Sequence, residues 1–122
     1  MKVLLSIKPE FALKIFDGTK KYEFRKSIFK RDDIKTVVVY ASSPIQQVIG
    51  EFEIEEILCK EVDLLWQTTQ QFAGISKNFY DEYFANKAVA FAIKVGNIRK
   101  YACPRCLSDY DIDYAPQSFA YL

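Results

Sequence analysis

The chain has 122 residues, 50% hydrophobic and 16% aromatic, and its ten Phe, eight Tyr and one Trp against four Gly and four Pro exclude a disordered or fibrous polymer. That length predicts a single domain over residues 1–122. Seventeen Lys and Arg against sixteen Asp and Glu exclude a polycation or an acidic tail, and the absence of histidine excludes a Ser-His-Asp triad, a Cys-His pair and imidazole ligation of a metal.

The amino terminus, MKVLLSIKPEF, is too short an apolar run for a secretory leader. No stretch approaches the roughly 18 apolar residues of a membrane span, so a cytoplasmic protein with no membrane partner is expected. Val3–Ile7 reads as a strand that stops at Lys8-Pro9, where proline suits the first turn of a helix. Phe11, Ala12, Ile15 and Phe16 then recur at helical spacing, and Gly18 stands where a left-handed cap ends the helix. Over Lys20–Lys26 the period changes to two, with Tyr22 and Phe24 on one face and Lys21, Glu23 and Arg25 on the other. Thr36–Ala41 and Val48–Ile54 are two further strands. Asp63–Phe72 reads as a helix, and Ser76 as the N-cap of another that runs to Asn86. The second helix carries the aromatic stripe Phe79, Tyr80, Tyr83 and Phe84, a spacing that core packing alone accounts for. Ala88–Val95 and Ile98–Cys103 are expected as two strands joined by a Gly96-Asn97 hairpin turn. Too few helices lie between strands for a doubly wound sheet. The fold class expected is α+β, a small, mostly antiparallel β-barrel with helices packed at its rim.

Charge is partitioned along the chain: residues 1–40 hold ten basic and five acidic side chains, residues 41–122 seven and eleven. A positive patch for a polyanion can therefore sit on a nearly neutral protein. The odd number of cysteines, Cys59, Cys103 and Cys106, fits a reducing compartment better than a disulfide framework. Cys103-Pro104-Arg105-Cys106 has the spacing of a metal knuckle, but it is half a zinc site unless a dimer completes it. No cofactor or metal is expected, and these cysteines read as small buried hydrophobes beside a turn.

The densest polar signal is Gly18-Thr19-Lys20-Lys21-Tyr22-Glu23-Phe24-Arg25-Lys26. A carboxylate between cations either orients an arginine for a phosphate or base edge, or serves as a general base beside a lysine. A solvated strand face of alternating charge is the plainer alternative.

The G-x-K-x-x-E-x-R pattern of Gly18, Lys20, Glu23 and Arg25 resembles the signature of ASCH domains, which are similar to the RNA-binding PUA barrel. Ser6–Glu10, Tyr40–Pro44, Gly50–Phe52 and Pro116–Leu122 also resemble small stand-alone prokaryotic members, so the resemblance spans nearly the whole chain. It implies a cleft between the barrel and the first helix that takes RNA, another nucleic acid or a modified nucleoside. The implied site is Lys8, Lys20, Glu23 and Arg25, with Ser42 and Ser43 as neutral donors and Gln117, Ser118 and Tyr121 from the carboxyl terminus. Lysine and arginine would supply the phosphate contacts, and glutamate would accept from the exocyclic amine of an unstacked base. A regulatory role, transcriptional regulation included, fits such a binding module. One branch of the family resembles an amidohydrolase that uses Lys, Thr and Glu. Here the Thr position falls on Glu23, and Thr19 precedes the lysine, so that nucleophile is missing. Ribonuclease activity is associated with other members, and for a metal-independent hydrolase of RNA or a modified nucleoside the implied catalytic pair is Lys20 and Glu23.

Overall fold

A computed structural model describes all 122 residues. In chain order the elements are β1 (Lys2–Ile7), α1 (Pro9–Asp17), β2 (Tyr22–Arg25), β3 (Thr36–Ala41), β4 (Gln47–Glu61), α2 (Val62–Thr69), α3 (Lys77–Tyr83), β5 (Val89–Arg105) and β6 (Phe119–Tyr121), with short 3-10 turns at Gln70–Phe72 and Leu107–Tyr110. The six strands form one curled sheet, a half-barrel, in the order β2-β5-β4-β3-β1-β6. All strand pairs are antiparallel except β1 with β3, whose register runs from Lys2 opposite Thr36 to Ile7 opposite Ala41. The expected α+β class, mostly antiparallel with helices packed at the rim, is what the chain adopts, the expected barrel being a half-barrel with two sheet edges.

Strand alternation sends residues to two faces. Val3, Leu5, Ile7, Val37, Val39, Ile49, Phe52 and Ile93 join Ala12 and Ile15 of α1 in the main core. Leu4, Val38, Tyr40, Val48 and Tyr101 form a smaller core on the opposite side, under Leu107, Tyr110, Ile112 and Leu122. A third cluster, Phe24, Leu65, Tyr80, Phe84, Ala90 and Ala92, seats α2 and α3. Tyr80 is wholly buried and its hydroxyl donates to the Val62 carbonyl at 2.7 Å; burial pushes its pKa up to about 12.

Three expectations fail. Gly96-Asn97 makes no hairpin: β5 runs unbroken from Val89 to Arg105, paired along most of its length with β4. The pairing slips near Ile54, and a Cβ on Gly96 would lie 2.9 Å from the Glu53 carbonyl oxygen, so glycine here admits a close backbone approach at an irregularity. Strand β4 also continues past Ile54 to Glu61, because Glu56, Leu58 and Lys60 keep pairing with β5. All three cysteines are free, but Cys103 and Cys106 are exposed where burial beside a turn is expected.

Phe52 is 1% exposed at the centre of the main core. Phe52→Ala is expected to cost about 3–5 kcal/mol through lost contacts and a residual cavity, measured as a shift in the denaturant midpoint. An unchanged midpoint would overturn this account of the core.

Candidate functional site

The chain leaves α1 through Gly18 in a left-handed conformation, and the Lys20 amide donates to the Lys14 carbonyl at 3.1 Å. This tight exit puts Lys20 at the entrance to β2. Lys20 is only 1% exposed; its Nζ donates to the Ala73 carbonyl at 2.6 Å and lies 4.9 Å from the Phe24 ring centre and 5.2 Å from that of Phe11. Gly74, at φ +69°, makes this possible, because a Cβ there would come within 2.5 Å of the Lys20 stem.

Glu23 and Arg25, two residues apart on β2, share a face. That face is not solvated: Glu23 is 6% exposed, and Arg25 Nη1 donates to Glu23 Oε2 at 3.2 Å. The guanidinium also donates from Nη1 to the Ser6 carbonyl at 3.5 Å and from Nη2 to the Ser118 carbonyl at 2.9 Å and Ser118 Oγ at 3.4 Å. Strand β2 is one edge of the sheet and β6, which follows Ser118, is the other. Arg25 therefore ties the two edges together. Ser6 Oγ adds a bond to the Pro116 carbonyl at 2.8 Å, and the Tyr121 hydroxyl accepts from the Lys30 amide at 3.1 Å.

Beside this seam opens a cleft of about 310 Å³. Lys8, Lys20, Glu23, Arg25 and Gln117 are all on its wall. Ser42, Ser43, Ser118 and Tyr121 are not among the lining residues. Ser42 sits in the turn after β3, where its amide donates to the Ile7 carbonyl at 3.0 Å, while Ser118 and Tyr121 hold the carboxyl-terminal segment in place. The rest of the wall includes Ser6, Phe11, Ile75, Phe79 and Tyr83, which sequence reasoning did not assign to a site. The aromatic stripe of α3 divides: Tyr80 and Phe84 enter the core, whereas Phe79 and Tyr83, turned slightly around the helix, face the cleft. Their rings stack at 6.4 Å with 13° between planes, Lys8 Nζ lies 5.0 Å over Phe79, and Lys26 Nζ lies 4.8 Å over Tyr83.

Burial controls the titration of the two innermost groups. It lowers Lys20 to about 8 even though Glu23 favours the ammonium and Lys14 opposes it. Burial raises Glu23, against the pull of Lys20 and Arg25. The cleft thus has an amine that gains and loses protons close to neutrality in a chain without histidine, next to a carboxylate that protonates more readily than usual. The structure contains no group of three or more Cys, Asp or Glu side chains arranged to hold a metal ion.

The family described as "ASCH domain" matches residues 5–99. An ASCH domain-containing ribonuclease of Zymomonas mobilis is 34% identical over 95 residues, which are 76% of this chain and 64% of that protein. The large ribosomal subunit protein uL22 of Ureaplasma parvum is 30% identical over 120 residues, 98% of this chain, so the chain spans only 39% of that relative's length. The crystal structure of ASCH from Zymomonas mobilis superposes with a TM-score of 0.91 at 29% identity, covering 99% of this chain and 87% of that one.

Between pH 8 and the ordinary lysine value of 10.5, the unfolded chain holds the Lys20 proton and the folded chain does not, so this residue makes stability rise with pH across that window. Lys20→Met should remove that rise, read as the wild-type-minus-variant difference in unfolding free energy against pH. A difference that stays flat from pH 8 to 10.5 would overturn the assignment. Arg25→Ala leaves Glu23 buried without its partner and unties the sheet edges. A loss of about 3–5 kcal/mol is expected, with the fastest new hydrogen exchange at β6; exchange that rises evenly over the sheet would contradict the seam.

Proposed function

We propose that this chain, which belongs to the ASCH domain family, binds single-stranded RNA by drawing one unstacked nucleotide into the cleft beside α1. The observation that carries this reading is the convergence of Lys20, Glu23 and Arg25 at the base of a cleft walled by Phe11, Phe79 and Tyr83. Its volume is at the small end for ligand pockets and matches one nucleoside better than a helical duplex. In this reading the base lies against the Phe79–Tyr83 ledge, Glu23 accepts from an exocyclic amine, and the Lys20 ammonium donates to a ring acceptor. Gln117 offers both a donor and an acceptor to the base edge. Lys8 and Lys26, at the two ends of the ledge, meet the phosphates on either side. Arg25 acts mainly by holding Glu23 and the rim in position, because its internal bonds occupy both terminal nitrogens. A role in regulation or in a larger assembly would follow from such binding.

Likeness to a ribonuclease favours a second reading, cleavage of the bound strand. The Glu23 carboxylate takes the proton of the ribose 2′-hydroxyl, and the oxygen attacks the adjacent phosphorus. The bond to the 5′-oxygen breaks, that oxygen receives the Lys20 proton, and a 2′,3′-cyclic phosphate remains. No metal enters the scheme.

Binding of single-stranded RNA should weaken steadily with salt, and Lys8→Ala should lower the log–log slope by about 0.7. Tyr83→Ala should lose about 1–3 kcal/mol of affinity. Failure to bind at low salt, or binding indifferent to salt, would sink the reading. For cleavage, products formed in the presence of a chelator should end in cyclic phosphate and disappear in Glu23→Gln. Unaltered turnover in that variant would eliminate the proposed pair.

A further inference from the structure

Between Glu82 and Asp109 the chain carries Lys87, Lys94, Arg99, Lys100 and Arg105 and no carboxylate, a basic run inside the otherwise acidic remainder of the sequence. Its last three cations fall on the carboxyl-terminal half of β5. Strand β2 pairs with β5 only from Phe91 to Lys94, so beyond Val95 the strand has β4 on one side and an open edge on the other. There Arg99, Lys100, Tyr101, Ala102, Cys103, Pro104 and Arg105 line a shallow groove of about 530 Å³. None of these residues lines the cleft.

Arg99, Tyr101 and Arg105 alternate onto one face. The Arg105 guanidinium lies 4.0 Å from the Tyr101 ring centre and that of Arg99 5.6 Å from the same ring. Two like charges on one aromatic ring repel each other, and an anion bound between them offsets that repulsion. The nearby carboxylate, Glu51, is already engaged: Tyr101 donates its hydroxyl to Glu51 Oε1 at 2.8 Å, and Lys2 Nζ reaches it at 3.3 Å. Neither arginine has a carboxylate partner within ion-pair distance; Arg105 Nη1 donates to the Tyr110 hydroxyl at 3.1 Å. Tyr110 thus holds the Arg105 guanidinium, Tyr101 lies beside both, and Glu51, opposite Arg99 on β4, attracts each arginine only from beyond ion-pair distance.

We propose that this groove is a second docking site for the phosphodiester backbone of RNA, used by the strand outside the nucleotide held in the cleft. The inference rests on the RNA-binding reading. Stacked, preorganised guanidiniums take up phosphate oxygens with two donors each and contribute the salt-dependent, sequence-independent part of binding. Charged residues also keep an open sheet edge from pairing with another chain. That role needs only charge on the edge, whereas here both guanidiniums gather on one ring.

Two probes separate the sites: a ribonucleoside 5′-monophosphate, which reaches the cleft alone, and a single-stranded oligoribonucleotide long enough to meet both surfaces. The double variant Arg99→Ala/Arg105→Ala should bind the monophosphate as wild type does. It should bind the oligonucleotide about tenfold or more weakly at low salt, with a log–log slope smaller by about 1.4. Arg99→Lys/Arg105→Lys, which keeps the charge, should recover most of the slope and guards against misfolding of the alanine pair. An unchanged slope for the alanine pair overturns the groove. If wild type binds the oligonucleotide through the groove but takes up no monophosphate, the cleft reading fails while the groove stands.

Discussion

The Arg25 guanidinium is the constraint on which the site depends. An open six-stranded sheet has two edges, and here a single side chain bonds to both: to Glu23 on its own strand and to Ser6 and Ser118 across the gap. A cation this buried is tolerable only because carbonyl oxygens and a carboxylate surround it, and the carboxylate is tolerable only because of the cation. The mutual requirement brings the motif strand, the start of α1 and the carboxyl-terminal segment to one place. The cleft is the mouth of that seam, so its polar floor follows from how the half-barrel closes.

Inner and outer charges are accordingly divided. Lys20, Glu23 and Arg25 lie deep and are fixed by internal bonds, and burial shifts the titration of Lys20 and Glu23. Lys8 and Lys26 stand on aromatic rings at the rim, where their charges are open to solvent and to a ligand. A net charge of +1 is compatible with polyanion binding where solvent-facing cations such as Lys8 and Lys26 stand together at one surface.

The two periodicities made most elements legible: α1, β2 and β3 stand where apolar spacing and the proline and glycine boundaries put them. Sequence pattern fails where pairing overrides local signals. Gly96-Asn97 has the composition of a turn, but β4 continues alongside it and keeps β5 extended. The end of β4 is rich in glutamate, so its solvated half carries little apolar alternation. At the site, the spacing of Lys20, Glu23 and Arg25 was visible, whereas the partners that bury them lie 53 and 93 residues away. Phe79 and Tyr83 could not be told from Tyr80 and Phe84 by spacing alone, because adjacent positions on a helix differ only in which neighbour they meet. Ser42 and Ser43 follow β3 in a turn outside the cleft wall, a placement that their residue type does not reveal.

Lys20 is held by a loop remote in sequence. The Phe72 carbonyl accepts from the Lys21 amide, the Ala73 carbonyl from Lys20 Nζ and the Gly74 carbonyl from Lys14 Nζ, three consecutive acceptors for lysines of α1 and its exit. Such a stretch cannot change length without displacing all three, and Gly74 cannot gain a side chain without pushing the Lys20 stem aside. Residues 72–74 thus form one structural unit with Lys14, Lys20 and Lys21: the loop's freedom to vary is limited by a site to which it lends only main-chain atoms.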